Sequence, residues 1–179
     1  MGTVLKHLLL TGYRGCGKSV VGQLLSKSLA RRLIDTDLVI ESETGRTIAE
    51  IFSEVGQEGF RDLESSQIVS LASIAEPAII SLGGGAILRA ENRGRIRNLG
   101  KTVWLQATPE SLFERISNDL TTQSRRPKLS QLGDLDEIRS ILEKRMPWYK
   151  EVADFAVTTD GLSMELVAET IVDWYRRLP

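Results

Sequence analysis

Eight consecutive residues near the start of the chain restrict what it can fold into more than any other stretch. Gly12-Tyr13-Arg14-Gly15-Cys16-Gly17-Lys18-Ser19 has the spacing G-x-x-x-x-G-K-[ST], after an apolar run, Leu8-Leu9-Leu10, and before a helical pattern over 20–29. A strand before and a helix after distinguish a phosphate-binding P-loop from an ordinary glycine turn. The residue types suit that task. Glycines let backbone N–H groups turn inward around phosphate oxygens, Lys18 brings positive charge to the β- and γ-phosphates, and the Ser19 hydroxyl is placed for Mg²⁺. The chain is therefore expected to bind a nucleoside polyphosphate through Gly12, Gly15, Cys16, Gly17, Lys18, Ser19 and the adjoining Val20. At Cys16 a small side chain filling the loop is expected, not a reactive thiol.

That loop fixes one strand–helix unit, and the rest of the chain repeats the alternation. Apolar runs at 32–34, 78–82, 102–105 and 155–157 are separated by stretches with helical spacing, among them 111–117, 135–145 and 164–175. This pattern predicts a three-layer α/β/α fold around a mainly parallel sheet, with ligands at the carboxyl ends of the strands. Two stretches break it. A mostly helical insertion, about 36–76, is expected to hold a substrate, and a polar, basic segment, about 119–132, reads as a lid. A length of 179 residues suits one domain built this way. A net charge of -1 leaves no global field to hold nucleic acid, and one cysteine with one histidine excludes an internal disulfide and disfavours structural zinc. No apolar run approaches the ~20 residues of a membrane span, so a cytoplasmic chain without an anchor is expected.

Four groups of residues carry chemistry. In Asp35-Thr36-Asp37 the two carboxylates are read as facing the same way at a strand end. One would support Mg²⁺ and the other would accept or orient a proton of an attacking hydroxyl, unless Asp35 or Thr36 simply caps a helix beginning near Leu38. Arg61 and Glu64 share a helix face, and such a guanidinium can clamp a carboxylate, although pairs of this kind ordinarily lie in solvent. Gly83-Gly84-Gly85 at the end of the third strand lets a ligand approach the backbone. Late arginines, Arg115, Arg125, Arg126 and Arg145, include one followed by Pro127 in the lid-like segment, where a guanidinium could close over a transferring phosphoryl group. His7 and the three tryptophans are read as structural.

Together these motifs resemble the shikimate kinases, small enzymes built like nucleoside monophosphate kinases, over nearly the whole chain. The resemblance rests on the P-loop, Asp35-Thr36-Asp37, the run Thr44-Gly45-Arg46-Thr47-Ile48-Ala49-Glu50-Ile51-Phe52, Phe60-Arg61 with Glu64, the triple glycine, Arg125-Arg126-Pro127, and Arg145 with Pro147 and Tyr149. It implies ATP-dependent phosphorylation of the 3-hydroxyl of shikimate, with ATP and Mg²⁺ as cofactors, in a monomer whose five-stranded sheet has the order 2-3-1-4-5. By the same resemblance Lys18, Asp37 and Arg126 are catalytic, and Ser19 and Asp35 hold the metal. Arg61 and Arg145 grip the substrate carboxylate, Gly83, Gly84 and Gly85 line its ring, Phe52 and Phe60 wall it, and Arg115 and Arg126 lie beside the nucleotide. Val20 replaces a threonine frequent in the family, and Lys128 stands where a leucine often follows the lid proline. Two other readings remain: a kinase of another small hydroxylated acid such as gluconate, and a nucleotide-binding regulatory homologue without transfer activity. The intact Asp37, Arg61 and Arg126 oppose the second.

Overall fold

The first strand, β1 (His7–Thr11), is the axis of the molecule: all its residues are buried, and Leu8, Leu9 and Leu10 have no exposed surface. The computed structural model describes residues 7–118 and 134–179. Side chains alternate across a strand. Leu8 and Leu10 therefore enter the core on one face with Val21, Leu25 and Ile171, while Leu9 enters the other with Ile68, Ile80 and Ile96. A strand buried on both faces needs a layer on each side, which parallel strands joined by crossover helices supply.

From β1 the chain runs through α1 (Lys18–Leu29), β2 (Leu33–Asp35), α2 (Thr36–Thr44), α3 (Ile48–Leu71), β3 (Ile79–Ser81) and α4 (Ala90–Leu99). It continues through β4 (Gly100–Gln106), α5 (Pro109–Asn118), α6 (Asp134–Val152), β5 (Phe155–Thr158) and α7 (Met164–Arg176). All strand pairs are parallel, in the order β2-β3-β1-β4-β5, with Leu9 opposite Ile80 on one side and Thr102 on the other. The expected three layers and sheet order are present. Only Asn92, Ile96 and Leu99 of α4 are buried, so its polar sequence gave little periodic signal. Helix α6 runs seven residues beyond the spacing read at 135–145 and passes through Pro147. The predicted lid, with Arg125, Arg126 and Pro127, lies outside the described residues.

The insertion is α2 packed on α3, with a small core of its own made by Ile40, Ile48, Ile51 and Phe60. A capping box fixes the start of α3. Thr47 Oγ1 accepts the Glu50 N–H at 3.3 Å, and Glu50 Oε2 accepts the Thr47 N–H at 2.7 Å. The helix then breaks once, at Gly56, whose φ of 70° and ψ of −174° are not helical.

Those bonds, first the backbone N–H of Thr47 and then its hydroxyl, hold the Glu50 carboxyl below its usual pKa. A carboxyl depressed by folding stabilises the fold above its unfolded pKa, and that contribution is lost as pH falls through the folded value. Urea titrations should therefore give a midpoint gap between wild type and Glu50→Gln that is widest near neutrality and narrows below about pH 4. A gap independent of pH would contradict the role given to the ionised carboxylate.

Candidate active site

The loop after β1 is shaped by glycines at positions no other residue suits. Gly17 has a φ of 97°, and a Cβ there would lie 2.7 Å from Met164 Sδ; a Cβ on Gly12 would lie 2.6 Å from the Leu105 carbonyl oxygen. Lys18 folds over this loop, its ammonium donating to the carbonyls of Gly12 at 2.8 Å and Tyr13 at 3.0 Å. Cys16 is buried inside the loop, as a filler would be, while Ser19 and Val20 are exposed at the amino end of α1. The exposed N–H groups and helix dipole at that end favour anions. Arg115, from α5, donates to the Thr159 hydroxyl at 2.8 Å and carbonyl at 2.9 Å and reaches the Gly15 carbonyl at 3.4 Å. It thereby ties the segment after β5 to the P-loop.

Asp35 and Asp37 are arranged differently from the reading of a shared strand end. β2 stops at Asp35 and α2 starts at Thr36, two residues before the expected position. Asp35 Oδ1 accepts the N–H groups of Asp37 at 3.1 Å and Leu38 at 3.4 Å, so this side chain does cap the helix. Asp37 stands in the first helical turn, buried apart from a small exposed edge. Thr36, between them, makes a link that sequence reasoning missed. Its hydroxyl donates to the Ser81 carbonyl at 3.3 Å and accepts the Gly83 N–H at 2.9 Å, fastening the start of α2 to the glycine turn after β3.

Beyond the P-loop a cavity collects most of the residues predicted to bind the acceptor substrate: Asp37, Phe52, Phe60, Arg61, Gly84, Gly85 and Arg145 line it, joined by Tyr13, Arg14, Ile48 and Glu64. Arg61 pairs with Glu64, and both side chains are almost inaccessible, 8% and 3% exposed, unlike the solvated pairs usual on helices. Burial pushes the Glu64 carboxyl up, and the Arg61 guanidinium pulls it partly back. Arg145 donates to the Gly84 carbonyl at 2.8 Å with its guanidinium 5.8 Å from the Tyr13 ring centroid. The glycines make room for these charges. A Cβ on Gly85 would lie 1.8 Å from Arg61 Nη1, and one on Gly83 would lie 2.5 Å from Asp37 Oδ1 and 2.8 Å from Glu64 Oε1. Gly83 thus stands behind the two carboxylates, and Gly84 and Gly85 face the cavity. Among the described residues, the buried atoms Arg14 Nε, Arg61 Nε and Glu64 Oε1 have no hydrogen-bond partner. Donors and an acceptor around an aromatic wall suit a small anion that also carries hydroxyl groups. Tyr13 and Arg14 gave no separate sequence signal, because they occupy the variable positions of the P-loop pattern.

A profile of the shikimate kinase family matches residues 14–176. A shikimate kinase of Rhodopirellula baltica is 41% identical over 167 residues, covering 93% of this chain and 89% of that protein. One from Thermodesulfovibrio yellowstonii is 41% identical over 174 residues and covers 97% of each chain. Among solved structures, shikimate kinase from Acinetobacter baumannii in complex with shikimate superposes with a TM-score of 0.88 at 31% identity, over 98% of this chain and 97% of that one.

Removing one partner of a buried pair strands the other charge, which typically costs about 3–5 kcal/mol. Arg61→Met should lose stability on that scale in urea unfolding. Because the stranded Glu64 is relieved by taking up a proton, the loss should grow as pH rises. The charge-free pair Arg61→Met with Glu64→Gln should recover most of it; a double variant as unstable as Arg61→Met would mean that packing, not charge, is lost.

Proposed function

The chain belongs to the shikimate kinase family, and on that premise we propose how its residues divide the work of the reaction. The reaction is ATP-dependent phosphorylation of shikimate to shikimate 3-phosphate. The observation that carries the assignment of residues is the cavity beside the P-loop, where Asp37, Arg61 and Arg145 meet the rings of Phe52 and Phe60. Arg61 and Arg145 grip the shikimate carboxylate from two sides, the geometry for which guanidinium groups are suited. Phe52, Phe60 and the bare backbone of Gly84 and Gly85 bound its ring, with Gly83 behind Asp37 and Glu64. Asp37 hydrogen-bonds the ring hydroxyls and accepts or orients the proton of the attacking 3-hydroxyl.

On the donor side, Lys18 moves from the loop carbonyls to the ATP phosphates, which the N–H groups from Gly12 to Ser19, the adjoining Val20 and the Arg115 side chain flank. The Ser19 hydroxyl and Asp35 are the residues that would hold Mg²⁺, Asp35 through water, since only its Oδ1 is engaged in the helix cap. They fit an ion that keeps several waters and takes few protein ligands, and which when bound neutralises phosphate charge. Arg126, outside the described residues, is assigned to both substrates from its place in Arg125-Arg126-Pro127. Catalysis by this set is positioning, charge stabilisation and exclusion of water. We read the chain as one monomeric, cytoplasmic kinase domain with a substrate-holding insertion at about 36–76; among the described residues no helix is long and apolar enough to cross a membrane.

A coupled ADP-release assay with shikimate, quinate and gluconate tests the reading, with turnover expected on shikimate and its absence overturning it. In the same assay Asp37→Asn should lower kcat by about 10²–10⁴ while ATP still binds, as expected for loss of a positioned base. Undiminished turnover would remove Asp37 from its role. Arg145→Ala should raise the KM for shikimate about 10- to 100-fold, the value of a charged hydrogen bond, with little change in the KM for ATP. Equal losses for both substrates would point to general disruption.

A further inference from the structure

Helix α3 supplies both ends of the apolar wall of the cavity, and a straight helix could not do so. An α-helix rises about 1.5 Å per residue, which would set Phe52 and Phe60 about 12 Å apart along the axis with both side chains leaning towards the amino end. Their ring centroids are 4.6 Å apart. The Arg61 guanidinium lies 5.9 Å from the Phe52 ring and 5.3 Å from the Phe60 ring. The chain must therefore double back between 52 and 60, and the break at Gly56 is where it does.

Two glycines meet two different demands there. Gly56, with φ 70° and ψ −174°, occupies backbone space that is essentially open to glycine alone. A Cβ on it would meet no neighbouring group within 4 Å, so the requirement is conformational and not one of room. At Gly59 the reverse holds. Its φ is not in the left-handed region, but a Cβ would fall 2.6 Å from Val55 Cβ, where i and i+4 neighbours of a regular helix stand about 5–6 Å apart. The fold-back presses Val55 onto residue 59, and only a bare backbone accepts it.

We propose that Gly56 and Gly59 are positioning residues that fold α3 back so that Ile48 and Phe52, before the break, close the same cavity as Phe60, Arg61 and Glu64, after it. This rests on the reading of that cavity as the shikimate site. An alanine at 56 favours a continuous helix, which would carry Phe52 away from Phe60 and Arg61. The glycines touch no substrate; they act through Phe52 and Arg61.

Equilibrium binding of shikimate and of ATP, measured separately by tryptophan fluorescence or calorimetry, tests this. Gly56→Ala should weaken shikimate about 10-fold and ATP less than twofold, with helix content by circular dichroism retained. In a Phe52→Ala background the same substitution should add less than twofold, because the ring it positions is gone. Gly59→Ala should weaken shikimate similarly, and Val55→Gly in that variant should restore binding by removing the opposing side chain. Hydrogen exchange gives a readout independent of ligand: amides over 56–60 should exchange more slowly in Gly56→Ala as helical bonds form across the break. Full additivity with Phe52→Ala, no rescue by Val55→Gly, or unchanged exchange would each overturn the proposal. Failure of wild type to bind shikimate would instead overturn the functional reading and leave the exchange experiment to decide about the fold-back.

Discussion

The requirement that most shapes the site is that a guanidinium kept from water must have a carboxylate beside it. Arg61 is nearly inaccessible, and Glu64, one helical turn on, is its partner. Replacing water around two charges leaves little net stabilisation, so such a pair is poor cement for a fold. Its use lies in direction, because a guanidinium with one side engaged presents the other at a fixed angle. Gly85 has no side chain where Arg61 lies, and Gly83 has none where Asp37 and Glu64 approach each other. The arginine with its carboxylate, Asp37 and the glycine turn are one arrangement made from three separate stretches of chain.

Bringing those stretches together is the task of the parallel sheet. β1, β2 and β3 end side by side, so the P-loop, the start of α2 and the glycine turn emerge at one edge. Thr36 locks two of them with a single hydroxyl that donates to Ser81 and accepts from Gly83. The helix carrying Asp37 cannot drift from the glycine wall without breaking both bonds. On the opposite side Arg145 reaches from α6 to the Gly84 carbonyl and lies over Tyr13. Elements far apart in sequence thus meet within a few ångströms of the loop that holds phosphate.

Much of this was legible in the sequence because it depends on short-range rules. A strand, a glycine-rich turn and Lys18-Ser19 announce a P-loop locally, and alternating apolar runs announce the sheet. Family resemblance named Asp37, Phe52, Phe60, Arg61, Gly84, Gly85 and Arg145, which line one cavity; spacing alone could not place Arg61 in the interior, since a helical Arg/Glu pair reads as surface. What escaped depends on tertiary contact. The bonds of Thr36 join residues more than forty positions apart, and the Cβ clashes at Gly83 and Gly85 exist only once α3 packs against the turn. The helical spacing read at 135–145 stops short of the end of α6, which continues through Pro147 because Tyr149 and Val152 anchor it in the core.

Lys18 carries one further implication. Its ammonium is already bonded to two carbonyls of its own loop. A nucleotide held by Lys18 as proposed would not meet a bare cation; it would compete with the protein for one, and the gain would be the difference between phosphate and carbonyl as partners. The same exchange would run backwards when the spent nucleotide leaves, since the loop carbonyls can take the lysine back and no unpaired charge is stranded. On the role proposed for Lys18, the net gain from holding phosphate is thus smaller than for an unpaired cation, and so is the net loss when the nucleotide departs.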